Sequence, residues 1–193
     1  MSVPAGLLLA AGGGRRYGRP KALVELAGAL LVDRALGVLA DGGCTPRVVV
    51  LGAAADEVIS RADLSGSTVV RNAAWESGMA SSLRAGLTAL QDTDADAALV
   101  LLVDTPGIGA AAVRRVGAAA APGAVAVATY AGRPGHPVLL GRDHWAEVIR
   151  TAHRDAGARE FLAAHPDLVR QIPCDDVADN ADVDVPGDLP GWR

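Results

Sequence analysis

The sequence predicts an α/β fold, a Rossmann-like three-layer α/β/α sandwich built on a mostly parallel sheet. Three observations carry that prediction. Short apolar runs recur along the chain with little polar alternation, as strands covered on both faces require. Helix-like segments separate them, and this alternation builds right-handed βαβ units. The first apolar run then stops at Gly12-Gly13-Gly14, where a backbone needs positive φ or close approach to a ligand.

In chain order, strands are expected at Leu7–Ala10, Arg47–Leu51, Thr68–Val70, Ala97–Val103 and Ala124–Thr129. Each is short, apolar and rich in leucine or valine. Helices are expected at Leu30–Ala40, Asp56–Ala62, Ser77–Leu90 and Ala110–Ala120. Gly132–Pro137 reads as a breaker-rich loop, and residues from Pro173 onward read as an acidic tail segment. No internal repeat or low-complexity linker divides the chain, so residues 1–193 are expected to form one domain. Ligands in such sheets lie beyond the carboxyl ends of the strands, where the glycine loop and the segment at Asp104 would meet.

Composition narrows the function. A net charge of −4 argues against a general nucleic-acid binder. No apolar run reaches the roughly 18 residues of a spanning helix, and no basic region precedes the N-terminal apolar stretch. Cys44 and Cys174 are far apart and form no CxxC pair, so a reduced, cytoplasmic protein is expected, with neither nucleic acid nor membrane as partner.

The glycine loop fails both familiar phosphate fingerprints. Gly13 and Gly18 have Walker A spacing, but Arg19 and Pro20 stand where lysine and a hydroxyl are needed. Gly12 and Gly14 open a dinucleotide pattern, but Tyr17 occupies its third glycine position. The stretch after the glycines is cationic, with Arg15, Arg16, Arg19 and Lys21. Lys21 is the only lysine among 18 Lys plus Arg. An ammonium is a compact point charge and a guanidinium a planar fork, so this lysine points to a phosphate contact. A solvated glycine-rich turn is the alternative.

Asp104 follows a buried strand and precedes Thr105-Pro106-Gly107. A carboxylate there suits magnesium, which takes one or two protein carboxylates plus phosphate oxygens and water. Capping of the next turn is the other reading. Asp182 and Asp184, two apart in an extended stretch, would point the same way and could complete a metal site, with the other acids near the C-terminus solvated. Ser81 and Ser82, in the first turn of the third helix, either hold a ribose or base with free backbone amides or simply cap the helix. The histidines show no ligand-pair spacing for structural zinc, and no G-x-S-x-G elbow is present.

Taken in order, these pieces resemble the MobA-like nucleotidyltransferases, and most closely the molybdenum cofactor cytidylyltransferases. The opening LAAGxSxRMGxxK pattern of that family is matched by Leu9-Ala10-Ala11-Gly12, Arg16, Gly18 and Lys21, with Gly14 in place of serine and Tyr17 in place of methionine. Its N…W..GM.SSL segment is matched at Asn72, Trp75, Gly78-Met79 and Ser81-Ser82-Leu83. The metal motif D-x-P is matched at Asp104-Thr105-Pro106 and the GHP loop at Gly135-His136-Pro137. GDxGAR is partly kept as Arg154-Asp155-Ala156-Gly157-Ala158-Arg159, and DIDTPEDL appears from Asp182 to Leu189.

The resemblance implies a sheet of the nucleotide-diphospho-sugar transferase type. It implies a magnesium-dependent reaction in which the terminal phosphate of molybdopterin, or of the molybdenum cofactor, attacks CTP and releases pyrophosphate. By the same resemblance, Arg16, Lys21 and Asp104 are catalytic, and Asp104, Asp182 and Asp184 hold the metal. Leu9, Ala10, Ala11, Gly12, Gly13, Gly14, Asn72, Gly78, Met79, Ser81 and Ser82 bind the nucleotide. Gly135, His136, Pro137, Asp155, Gly157 and Arg159 face the acceptor. LAAG, where guanylyltransferases of the family carry LAGG, favours CTP over GTP. A molybdoenzyme or its chaperone is an implied partner. A related transferase acting on a sugar or alcohol phosphate or using GTP, and a non-catalytic cofactor-binding protein, are the alternatives.

Overall fold

The structure is a computed structural model that describes residues 2–185, 187 and 188. The chain enters through β1 (Ala5–Ala10) and makes a small antiparallel hairpin, β2 (Glu25–Leu26) and β3 (Ala29–Leu30), before α1 (Leu31–Asp41). Next come β4 (Arg47–Leu51), α2 (Ala55–Arg61), β5 (Thr68–Arg71), α3 (Met79–Leu90) and β6 (Ala97–Leu102). After α4 (Ala110–Gly117), the hairpin of β7 (Val125–Tyr130) and β8 (Arg133–Gly141) leads into α5 (Arg142–Thr151), α6 (Arg159–Ala164) and β9 (Val169–Pro173). Among the described residues the central sheet has seven strands, in the order β5-β4-β1-β6-β8-β7-β9.

Side-chain alternation along the strands divides the core into two layers. On one face Leu8, Val49, Leu51, Leu99 and Leu101 pack with Leu36 and Leu39 of α1 and Val113 and Val116 of α4. On the other, Leu7, Leu9, Val48, Val50 and Val100 pack with Leu83 and Leu87 of α3 and Trp145 and Val148 of α5. Burial on both faces explains why these strands read as continuous apolar runs. Gly86 lets α3 lie directly on β1, since a Cβ there would fall 2.3 Å from Leu7 Cδ1. α1 and α2 cover one face and α3 the other, so the chain reverses around β1 and β6. The crevice beyond their carboxyl ends is the switch point at which such sheets bind ligands.

The structure corrects two expectations. Of the expected Gly132–Pro137 loop, Arg133–Pro137 is instead the first half of β8, a strand that runs antiparallel to β7 and, from Val138 onward, to β6 as well. Its pairing slips between Val127 and Thr129, so the strand tolerates glycine and proline at an irregularity in the ladder. The acidic segment is likewise no free tail. Val183 is fully buried, its N–H donates to the Asp104 carbonyl (2.9 Å), and the Asp179 N–H donates to the Gly107 carbonyl (3.2 Å). Asp176 meets Arg115 and Asp175 accepts from the Ala131 N–H, so these acids tie the strap down. Smaller differences lie at helix ends: a separate 3-10 turn, Trp75–Ser77, precedes α3, and α4 stops at Gly117. Pro186 and Leu189 lie outside the described residues.

Candidate active site

The three glycines after β1 differ in what they permit. Gly14 has φ +60°, and a Cβ there would sit 1.9 Å from the Arg19 carbonyl oxygen. Only glycine fits, and the turn is closed by the Gly18 N–H donating to the Gly14 carbonyl (2.8 Å). A Cβ on Gly13 would meet the Trp75 ring at 3.0 Å, whereas Gly12 faces open space. The loop is therefore packed from beneath and free toward the cleft.

From this loop the chain reaches a short 3-10 turn, Lys21–Leu23, which aims the lysine across the sheet's carboxyl edge. Its Nζ donates to Asp104 Oδ2 (2.7 Å) and to Asp184 Oδ1 (2.8 Å). Arg16 Nη1 approaches the second oxygen of Asp184 at 3.1 Å. One ammonium thus joins segments 83 and 163 residues away in sequence. Burial pulls the Lys21 pKa down, but hydrogen bonds and charge from the two aspartates outweigh it and leave the group raised. Hydrogen bonding and charge from Lys21 hold Asp184 below its ordinary range. Asp182 behaves oppositely: desolvation and the nearby Asp104 charge push its carboxyl up.

Arg16, Lys21, Asp104 and Asp184 floor a cleft of about 380 Å³. Leu9, Ala11, Gly12, Gly13, Gly14, Arg16, Lys21, Gly78, Met79, Ser82, Asp104, Asp155 and Asp184 of the expected site residues line it. Ala10, Asn72, Ser81, Gly135, His136, Pro137, Gly157, Arg159 and Asp182 do not. Arg15, Trp75, Glu76, Leu102 and Val103 line it and lay outside the expected set. Trp75 left a sequence signal that single residues conceal: Gly13 and Gly52 both vacate space for its side chain, at 3.0 and 2.5 Å from a would-be Cβ.

Asn72 and Ser81 stand behind the cleft for a structural reason. Asn72 Nδ2 donates to Ser81 Oγ (2.8 Å) and Ser82 Oγ (3.0 Å), while its Oδ1 accepts from the Ala74 N–H. This buried network holds the turn that starts α3. The free amides expected at that helix start are also taken. The Ala80 N–H donates to the Arg154 carbonyl (2.8 Å), and the Met79 N–H meets Asp155 Oδ1 (3.3 Å). Gly78, at φ +109°, is needed because a Cβ would lie 2.5 Å from the Arg154 carbonyl carbon. Asp155 therefore reaches the cleft as a cap on α3. His136 is anchored by its N–H to Asn180 Oδ1 (2.9 Å) and by the Tyr130 hydroxyl donating to its carbonyl (2.7 Å). Desolvation pushes its imidazole down to about 4, although Asp104 opposes this.

The donor set fits a divalent cation in its chemistry. Asp104 and Asp184 offer hard carboxylate oxygens converging on one point at the cleft floor, and magnesium takes only one or two such ligands beside phosphate. Lys21 holds that point here, and among the described residues no cluster of three or more His, Cys, Asp or Glu side chains is spaced for a metal.

Comparison with known proteins places this cleft in context. The profile of the MobA-like NTP transferase domain matches residues 6–169. Nicotine blue oxidoreductase of Paenarthrobacter nicotinovorans is 41% identical over 188 residues, covering 93% of this chain and 91% of its own length. Molybdenum cofactor guanylyltransferase of Rhodobacter capsulatus is 33% identical over 147 residues, covering 75% of this chain and 67% of its own. The crystal structure of a Mycobacterium tuberculosis Rv0371c homologue from Mycobacterium sp. strain JC1 superposes with TM-score 0.84 at 32% identity, over 97% of this chain and 93% of that one. The sheet is that of the nucleotide-diphospho-sugar transferase fold.

Proposed function

The chain belongs to the MobA-like NTP transferase family, a nucleotidyltransferase family, and from that premise we propose that it transfers CMP from CTP to the terminal phosphate of molybdopterin or the molybdenum cofactor. The observation that carries this reading is the ammonium of Lys21 between two carboxylates at the foot of a glycine loop. Phosphoryl-type transfer asks for charge neutralisation and in-line positioning more than for proton relays. An acceptor phosphate oxygen forms a bond to the α-phosphorus as the bond to the bridging oxygen breaks, and pyrophosphate leaves with that electron pair.

Loop amides at Gly12–Gly14 and the cations of Arg16 and Lys21 hold the triphosphate and the charge gathering on the departing pyrophosphate. A bound magnesium, held by Asp104 and Asp184, would neutralise phosphate charge beside them. Asp182 is the reserve ligand rather than the main one, since it lies off the cleft lining. Main-chain groups at Leu9–Ala11 read the base edge, Gly78, Met79 and Ser82 shape the cleft wall beside it, and Ala11 supports CTP over the GTP used by cofactor guanylyltransferases. Asp155, Gly157 and Arg159 with the Gly135-His136-Pro137 segment shape the acceptor side, and a molybdoenzyme or its chaperone would receive the product.

The 41% identity to nicotine blue oxidoreductase favours a second reading, an oxidoreductase working in the same cleft. Two paired assays separate them. Pyrophosphate release is measured with CTP, GTP, ATP and UTP, with and without molybdopterin or its molybdenum form, and oxidation of NADH or NADPH is followed with nicotine blue. CTP-dependent release requiring acceptor is expected; GTP preference would overturn the base assignment alone. Oxidation of NADH or NADPH that depends on nicotine blue, without pyrophosphate release, would replace the transferase reading.

A further inference from the structure

We propose that Lys21 is a built-in counter-cation that keeps a divalent metal out of the Asp104–Asp184 pair until nucleotide phosphates draw its ammonium away, so that metal and nucleotide load together. This rests on the metal-assisted transfer proposed for the same cleft and adds an order of assembly to it.

The geometry supplies the reasons. Two carboxylates converging on one point repel unless a cation lies between them. The Lys21 Nζ is that cation, 2.7 and 2.8 Å from the two, and it uses the same oxygens that a metal would need. Metal and ammonium are therefore alternatives at this point. Arg16 cannot take the place of Lys21, since among the described residues its only ion pair is with Asp184 and it lies 78% exposed to screening solvent.

The residue type agrees. Every other cation in the chain is arginine. A lysine has a flexible stem and a compact head with three rotatable donors, so it can swing from carboxylates to phosphate without a fixed fork geometry. The glycine loop that would bind the phosphates shares the cleft with Lys21. Nucleotide arrival thus offers the ammonium new partners and frees both carboxylates in one step.

Manganese binding, followed by the free-ion paramagnetic signal and corrected by a CTP-only control for the metal that CTP itself chelates, tests this without turnover. The wild-type chain should bind manganese weakly alone and more tightly with CTP. Lys21→Met should bind it without nucleotide about tenfold or more tighter than wild type, the size of an ordinary coupling between sites. Lys21→Arg, which keeps a cation, should not show that gain. Lys21→Gln repeats the neutralisation with another shape, so a folding failure of one variant does not decide the result. If wild type with CTP binds manganese but neither neutral variant gains affinity, the counter-cation role is overturned and the transfer reading stands. Tight binding by wild type without nucleotide overturns it equally. If no form binds manganese even with CTP, metal-assisted transfer itself fails, and this inference with it.

Discussion

Lys21 joins the glycine loop to Asp104 and Asp184, and no other residue touches both carboxylates among the described residues. Replacing it with alanine should lower kcat/KM by about 10²–10³-fold, the range for a positioned donor at a charge-developing site. Unchanged kcat/KM in a folded variant would reduce the lone lysine to a surface tie. Asp104→Asn keeps the shape and removes the charge, so turnover should fall severely while the melting temperature changes little. His136 predicts a pH effect. Its imidazole titrates at about 4 in the folded chain and near 6.5 when unfolded. The unfolded chain therefore binds the extra proton between these values, and stability falls as pH drops through that window, by about 1–3 kcal/mol. Urea melts from neutral pH downward should show this slope, and His136→Gln should flatten it. An identical slope in the variant would assign the acid sensitivity elsewhere.

At the level of elements, glycine positions bind loops to one another. Gly14→Ala would drive a Cβ into the Arg19 carbonyl at 1.9 Å, so the loop must open. Nucleotide KM should rise while the core, which lies behind β1, keeps its melt within about 1–2 kcal/mol. Gly78→Ala is different, because the clash is with the Arg154 backbone, whose carbonyl accepts from the Ala80 N–H at the start of α3. Both stability and the nucleotide site should suffer together. Circular dichroism melts with KM measurements on the pair check this contrast, and equal stability losses would contradict it. β8 makes the same point about context. Glycine and proline at residues 132–137 read locally as a loop, yet pairing with β7 carries Arg133 and Pro134 into a strand with an irregular register, which β6 joins only from Val138 onward.

Across the whole molecule, the strap from Asp179 onward crosses the carboxyl edge of the sheet and delivers Asp184 to the cleft. Removing it should abolish turnover, and it should also destabilise the chain, because the fully buried Val183 side chain leaves the core. Asp184→Asn isolates the functional part: its carboxylate is 44% exposed, so the melt should move by no more than about 1 kcal/mol while activity collapses. Normal turnover in Asp184→Asn would leave Asp104 as the only carboxylate required. Five strands of the central sheet (β1, β4, β5, β6 and β7), helices α1–α4 and the glycine loop were legible in sequence because buried strands and interposed helices impose local apolar patterns. Gly12, Lys21 and Asp104 carried their chemistry in local context too, a loop after a strand and an acid at a strand's end. β8, the strap and the partners of Asn72, Ser81 and Asp155 were not legible, since each is decided by contacts distant in sequence. The Asn72 side chain serves a buried turn, and Asp155 caps a helix 76 residues before it. Residue type and spacing determined which groups this protein possesses for phosphate chemistry. Tertiary structure alone decided that one ammonium stands between Asp104 and Asp184, because that point exists only where the sheet's carboxyl edge, the loop and the strap converge.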